Sequence, residues 1–165
     1  MAIRSVALAG MVSDTSLYNI DGACVVGGAA PIPAGTVVKF ATAQSVDGHK
    51  IVEATSLTAG DALGVVVRSH YETPDGTARV NEAVNVMTHG RIWVRSRLTS
   101  APTLGQPVKV SATGLVEDSG AIDTGWTFAG GYIKNTGKNP QDLSVDGALV
   151  EVQLTQSAKS TSANQ

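Results

Sequence analysis

The sequence predicts an all-β fold, a sandwich or a barrel, and three observations carry that reading. Val, Thr, Ala, Ser and Gly dominate a chain with 18 Gly and only 4% aromatic residues. Such a composition favours short strands and tight turns over long helices. Short apolar runs repeat from about residue 32 to residue 154, and turn residues separate them every 8 to 15 positions. That rhythm is the one sandwiches and barrels show. At 165 residues and 42% hydrophobic content the chain can bury one core, so a single compact domain is expected rather than disorder.

Three stretches differ in character. Residues 1–31 have scattered hydrophobes and the pair Gly27-Gly28 but no period, and read as an irregular N-terminal arm. Residues 32–154 form the β domain, with strand candidates at 36–40, 50–54, 62–68, 83–87, 91–97, 107–111, 114–117, 126–134 and 149–154. Residues 155–165 hold no large hydrophobe and read as a flexible C-terminal tail. Between the strands the turn chemistry is explicit. Asp47-Gly48 offers the positive φ that a two-residue hairpin requires. In Pro74-Asp75-Gly76 the proline presets the first turn position. Thr113-Gly114 and Asp146-Gly147 are similar. Val80, Ala83, Val84 and Met87 also fit helical spacing, but Val84 and Val86 alternate with Asn85 and Met87, and the strand is preferred. His89-Gly90 is then expected to turn into the strand at 91–97.

That strand is the most informative. Alternation puts Ile92, Val94 and Ser96 on one face and Arg91, Trp93, Arg95 and Arg97 on the other. An aromatic among arginines suits an interface, where both types fill a partner's pocket. It equally suits a Trp covered by arginine stems on a solvated face.

Chemistry is thin. The net charge of −2 lacks the basic surplus that nucleic acid binding uses. Cys24 stands alone, so no intramolecular disulfide can form, and it reads as a small buried residue. His49, His70 and His89 stand far apart without a ligand partner at close spacing, so no metal is expected. No nucleophile elbow appears among the serines. Glu117-Asp118 leads into Ser119-Gly120 as a solvated turn would. Gly130-Gly131 and Gly137-Lys138 lack the Ser or Thr and the helix that a phosphate loop needs. Ala7-x-Ala9 follows no apolar region of signal-peptide length, and no run reaches membrane-spanning length. A soluble, cytosolically made protein without cofactor, small-molecule substrate, membrane or nucleic acid partner is expected, and not an enzyme.

Against this background several segments resemble the structural cement (capsid decoration) proteins of tailed phages. Ala9-Gly10-Met11-Val12-Ser13-Asp14, followed by Asn19-Ile20, is similar to the opening of that family. Ala30-Pro31-Ile32-Pro33-Ala34-Gly35-Thr36-Val37-Val38 resembles its lead-in to the β domain. Gly64-Val65-Val66-Val67 resembles one of its strands, and Asn85-Val86-Met87-Thr88-His89-Gly90-Arg91-Ile92-Trp93-Val94 its hairpin. Leu104-Gly105-Gln106-Pro107-Val108 and the closing Val150-Glu151-Val152-Gln153-Leu154 continue the likeness, which spans residues 9–154. Tyr18 to Gly28 departs from it, being more apolar and richer in glycine.

The resemblance implies an antiparallel β-sandwich, a jelly roll being one form of it, with an extended N-terminal arm. It implies a virion protein on the outer capsid surface, made in the host cytoplasm. Its partners would be the major capsid protein and itself, as homodimer or homotrimer, stabilising the expanded head. The contact residues expected are Met11, Val12, Asp14 and Leu17 of the arm, and Arg91, Trp93 and Arg95 of the strand. The arm is expected to be removable to about residue 20 without loss of folding. A receptor- or glycan-binding module of a fibre or spike is the alternative, and an exposed Trp126 or Tyr132 would favour it. An enzyme would need a pocket gathering two or more of His49, His70, His89, Asp118 and Asp123.

Overall fold

The computed structural model describes residues 7–69, 76–134 and 148–156, with the backbone alone at 42–46. Its elements are strands, and the described residues contain no helix: β1 (Val12–Val26), β2 (Ile32–Pro33), β3 (Val37–Val46), β4 (His49–Glu53), β5 (Leu63–Val66), β6 (Thr77–Ala78), β7 (Ala83–Ser96), β8 (Pro107–Val110), β9 (Ile122–Lys134) and β10 (Ala148–Leu154). The all-β expectation therefore holds. Eight strands form one sheet in the order β1-β4-β3-β5-β7-β10-β9-β8, and β2 and β6 pair separately. β1 runs parallel to β4, whereas the other paired strands run antiparallel. The architecture is thus a large mixed sheet, not the wholly antiparallel one expected.

β1 also pairs antiparallel with β7, so the circuit β1-β4-β3-β5-β7 returns on itself. The length of β7 makes this possible. One edge bonds β1, while the other bonds β5 at Val86 and Met87 and then β10 from Gly90 to Ser96. The turn expected at His89-Gly90 is absent, because pairing on both edges keeps the backbone extended there: His89 faces Asn19 and Gly90 faces Leu154. Gly90, at φ 118°, is a kink within one strand.

Alternation along these strands feeds two apolar clusters. Cys24, Val26, Val38, Val52, Val66, Val84 and Val86 come from all five strands of the circuit and pack with Ile32 and Ala78 of the small sheet. Val37, Val65 and Met87, one residue out of phase, join Ile92, Val94, Val108, Val110, Ile122, Trp126, Phe128, Val150, Val152 and Leu154 in the larger cluster. The Asp47-Gly48 hairpin forms as expected: Val46 faces His49 and both turn residues have positive φ, 50° and 82°. Gly114 likewise turns at φ 79°, donating to the Ser111 carbonyl, but around it only Val116 bridges, to Ser96 and Val110. Pro74-Asp75, Asp146-Gly147 and the tail beyond Gln156 lie outside the described residues.

The largest departure is β1. Residues 12–26, expected to be irregular, form a fifteen-residue strand. Ahead of it Ala9 and Gly10 are buried, the Gly10 amide donates to the Trp93 carbonyl, and the Trp93 amide donates to the Met11 carbonyl. Arg68 clasps the same segment, its amide on the Gly10 carbonyl and its Nε on the Ala9 carbonyl. The segment looks aperiodic in sequence because its pairing slips four times along β7. Each slip resets which parity points inward.

Candidate functional site

The second half of β7 alternates as its sequence requires. Ile92, Val94 and Ser96 are buried, Arg91 and Arg97 are exposed, and Trp93 and Arg95 are half-buried on the outward face. Across β10, Glu151 faces Trp93, Gln153 faces Arg91 and Leu149 faces Arg95. The Trp93 ring extends across β10 to β9, where its Cη2 lies 2.5 Å from the position a Cβ on Gly131 would take. A bulge in β9 opposite Glu151 and the bare backbone of Gly131 together make this seat. The indole is therefore fixed in place with part of its surface open, which suits an aromatic anchor for a partner.

Charges frame the ring. Arg91 donates from Nε to Gln153 Oε1 at 2.9 Å, and its Nη1 lies 3.9 Å from Glu151 Oε1. Burial raises the Glu151 carboxyl above its ordinary 4.5; Arg91 pulls the other way and Asp14 adds to the rise. Asp14 faces Arg91 from β1, and its carboxyl is held low by the hydroxyl and amide of Ser16, at 2.6 and 2.8 Å. Arg97 is paired with Glu117 at 2.7 Å.

A raised carboxyl binds its proton more tightly in the folded than in the unfolded state. Its contribution to stability is full below the ordinary value and is lost as pH rises through the folded one. Glu151→Gln should therefore remove a downward slope in melting temperature across that mildly acid window. At neutral pH, where the half-buried carboxylate is ionised, the same substitution should be slightly stabilising. Parallel melting curves for the two proteins over that window would contradict this.

Of the arm and strand residues named from the sequence, Met11, Val12 and Asp14 meet Trp93, Ile92 and Arg91 on one ladder, whereas Arg95 faces Leu149 of β10 and Leu17 is out of the pairing. Met11 bonds Trp93 through its carbonyl. Leu17 stands further along, where its carbonyl lies close to Gly90. Sequence reasoning missed Glu151, Gly131 and Tyr18, which join this surface. Only the Glu in the alternating Val150-Glu151-Val152 run gave a signal.

Other candidates scatter. Trp126 is 3% exposed and packs in the larger cluster, and Tyr132 packs against that cluster with its hydroxyl donating to the Leu98 carbonyl. Trp126 offers no open ring for a sugar, and Tyr132 is half-buried with its hydroxyl engaged. His49 is exposed and His89 half-buried on different strands, and His70 lies outside the described residues. A groove of about 520 Å³ is lined in part by Asp21, Lys50, Asp61, Asp123 and Trp126. Its carboxylates are engaged locally: Asp21 with Lys50 Nζ at 2.6 Å, Asp61 with the Thr58 amide at 2.7 Å, Asp123 with the Gly125 amide at 3.1 Å. Among the described residues no three His, Cys, Asp or Glu side chains come together as metal ligands would. Cys24 is buried, and burial raises its thiol further from the reactive thiolate.

The described residues thus form a β framework that seats a partly open tryptophan between Arg91 and Glu151. The chain belongs to a family of phage structural proteins: the family described as Structural cement protein (E217 gp24/Pam3 gp6) matches residues 2–155. The family that the sequence resembles is thus the one that contains it. A chain of "The capsid of Myoviridae Phage XM1" is similar in fold, with a TM-score of 0.62 over 94% of this chain and 95% of that one, at 16% identity. No curated protein matches. Family membership makes this a phage structural protein of the virion capsid.

Proposed function

We propose that this chain is a cement protein that binds the outer surface of a phage head, bridges major capsid protein subunits and so stabilises the expanded shell. The observation that carries the reading is the Trp93 platform, held rigid between β7, β10 and Gly131 in a member of the cement family. Arg91, Arg95, Met11, Asp14 and Leu17 would form the contact surface around it, whereas Val12, expected there from the sequence, is paired with the buried Ile92 and packs on the larger cluster. The strand framework would act as a sandwich over its two apolar clusters, stiff enough to carry load from one capsid subunit to the next. Affinity would come from repetition. A contact on the order of 800 Å² per partner suffices if each copy also touches a second capsid subunit or another copy of itself, in a dimer or trimer.

Purified protein should co-sediment with expanded heads in a fixed stoichiometry. Failure to bind, or binding without saturation, would overturn the reading. Trp93→Ala should weaken that binding by about 2 kcal/mol while shifting the melting temperature much less. Comparable losses in both would make Trp93 a packing residue only.

A further inference from the structure

We infer that residues 15–18 form a preformed apolar knob, tipped by Leu17 and Tyr18, that plugs into an apolar pocket of the capsid subunit; the inference rests on the cement reading above. Five steps along β1, from Asp14 to Asn19, are matched by only two along β7, from Arg91 to His89, so the intervening residues are pushed out of the ladder. Leu17 is 72% exposed and Tyr18 49%, and with Met11 at 39% they make three of the four exposed large hydrophobics among the described residues.

The knob is fixed at its base on both sides. Asp14 holds the Ser16 amide and hydroxyl at 2.8 and 2.6 Å, and Asn19 donates to the Thr88 hydroxyl at 2.9 Å. Gly90 provides the seat: a Cβ there would lie 2.8 Å from the Tyr18 Cβ and 3.1 Å from the Leu17 carbonyl oxygen. β7 therefore carries a kinked glycine where β1 bulges. A rigid protrusion loses little conformational freedom on docking, which is the condition for a few side chains to dominate an interface.

Bulges are one device that blunts strand edges against aggregation, and charged side chains and proline are others. Here the tip is Leu and Tyr, which in water is a cost unless a partner covers it. What covers it is indicated by continuity. Met11, Asp14 and Tyr18 meet Trp93, Arg91 and Gly90 in succession on one ladder, so a capsid subunit that covers the tryptophan platform reaches the knob as well.

The test uses full-length protein and expanded heads that lack it. A Leu17→Ser, Tyr18→Ser double variant should lose at least about thirtyfold in affinity for heads with an unchanged melting temperature. Leu17→Ser alone, at a side chain that is largely in solvent, should lose part of it and keeps the test valid if the double variant melts early. A photo-crosslinking residue at position 17 should capture the capsid subunit. If wild-type protein binds heads and the variants bind equally well, or the cross-link joins two copies of this chain, the knob is overturned and the cement reading stands. Wild-type protein that ignores heads overturns both.

Discussion

Deleting residues 1–20 will unfold the protein or leave it aggregated, not merely detach it from its partner. The sequence predicts a removable arm here, but the bonds of Ala9, Gly10 and Met11 and the pairing from Val12 to Ile20 tie residues 9–20 to β7 and Arg68. Removal strips partners from the Trp93 carbonyl, the Trp93 amide and the Arg68 amide at once. It takes out Ala9, buried to 3%, and the partly buried Val12 and Ile20 that pack on the larger cluster. It also opens the β1–β7 seam that closes the strand circuit, along Ile92, Arg91, His89 and Met87. Three backbone hydrogen bonds at about 0.5–1.5 kcal/mol each, together with the lost apolar contacts, are a large share of a total stability of about 5–15 kcal/mol. Melting should fall by at least about 10 °C if a folded state survives. A truncated protein that melts within a few degrees of the full chain would show that β1 is an accessory strap after all.

The contrast between β1 and the rest shows what the sequence made readable. β8, the first half of β9 and β10 from Val150 on were visible because one face is buried there and apolar residues recur at period two, while β4 and β5 showed as short apolar runs between turn residues. Val108 and Val110, or Val150, Val152 and Leu154, need no tertiary knowledge to be seen. β1 holds its place through backbone bonds to β7, and its residues up to Asp21 are at most partly buried. Backbone bonding leaves no mark on residue type. Gly90 misled for a related reason. A glycine at positive φ usually marks a turn, but this one relieves crowding against Tyr18, a contact from seventy-two positions earlier in the chain. The outward face Arg91, Trp93, Arg95 was legible, since parity within one strand is local. Its neighbours Glu151, Gly131 and Asp14 were not legible as its neighbours, because register between distant strands is set only when the circuit closes. Trp126 shows the converse: its aromatic ring suggested a binding platform, while its parity with Ile122, Thr124 and Phe128 turns it inward.

Gly10→Ala should be the most damaging single methyl in the chain's first strand region, and the reason separates packing from conformation. Gly10 has φ 77°, a left-handed backbone that costs a side-chain-bearing residue about 1–2 kcal/mol on its own. A Cβ there would also stand 2.8 Å from three backbone atoms, the Arg68 amide nitrogen, the Gly35 amide nitrogen and the Val66 carbonyl oxygen. None of these can yield as a side-chain tip would, because each belongs to the crossing where the N-terminal segment, the turn before β3 and the end of β5 lie against one another. Gly35 is its counterpart, with φ 77° and the Gly10 nitrogen 2.6 Å from its own Cβ position. Overpacking and strain together should cost roughly 2–6 kcal/mol. Gly105→Ala is the matched control, since Gly105 has φ 83° and nothing within 4 Å of its Cβ position, so that only the conformational part remains. Chemical denaturation of the two variants should therefore place Gly10→Ala well below Gly105→Ala, with the difference reporting the crossing alone. Equal midpoints would mean that the N-terminal segment lifts away from Gly35 at little cost, and would overturn the tight crossing of Gly10, Gly35 and Val66.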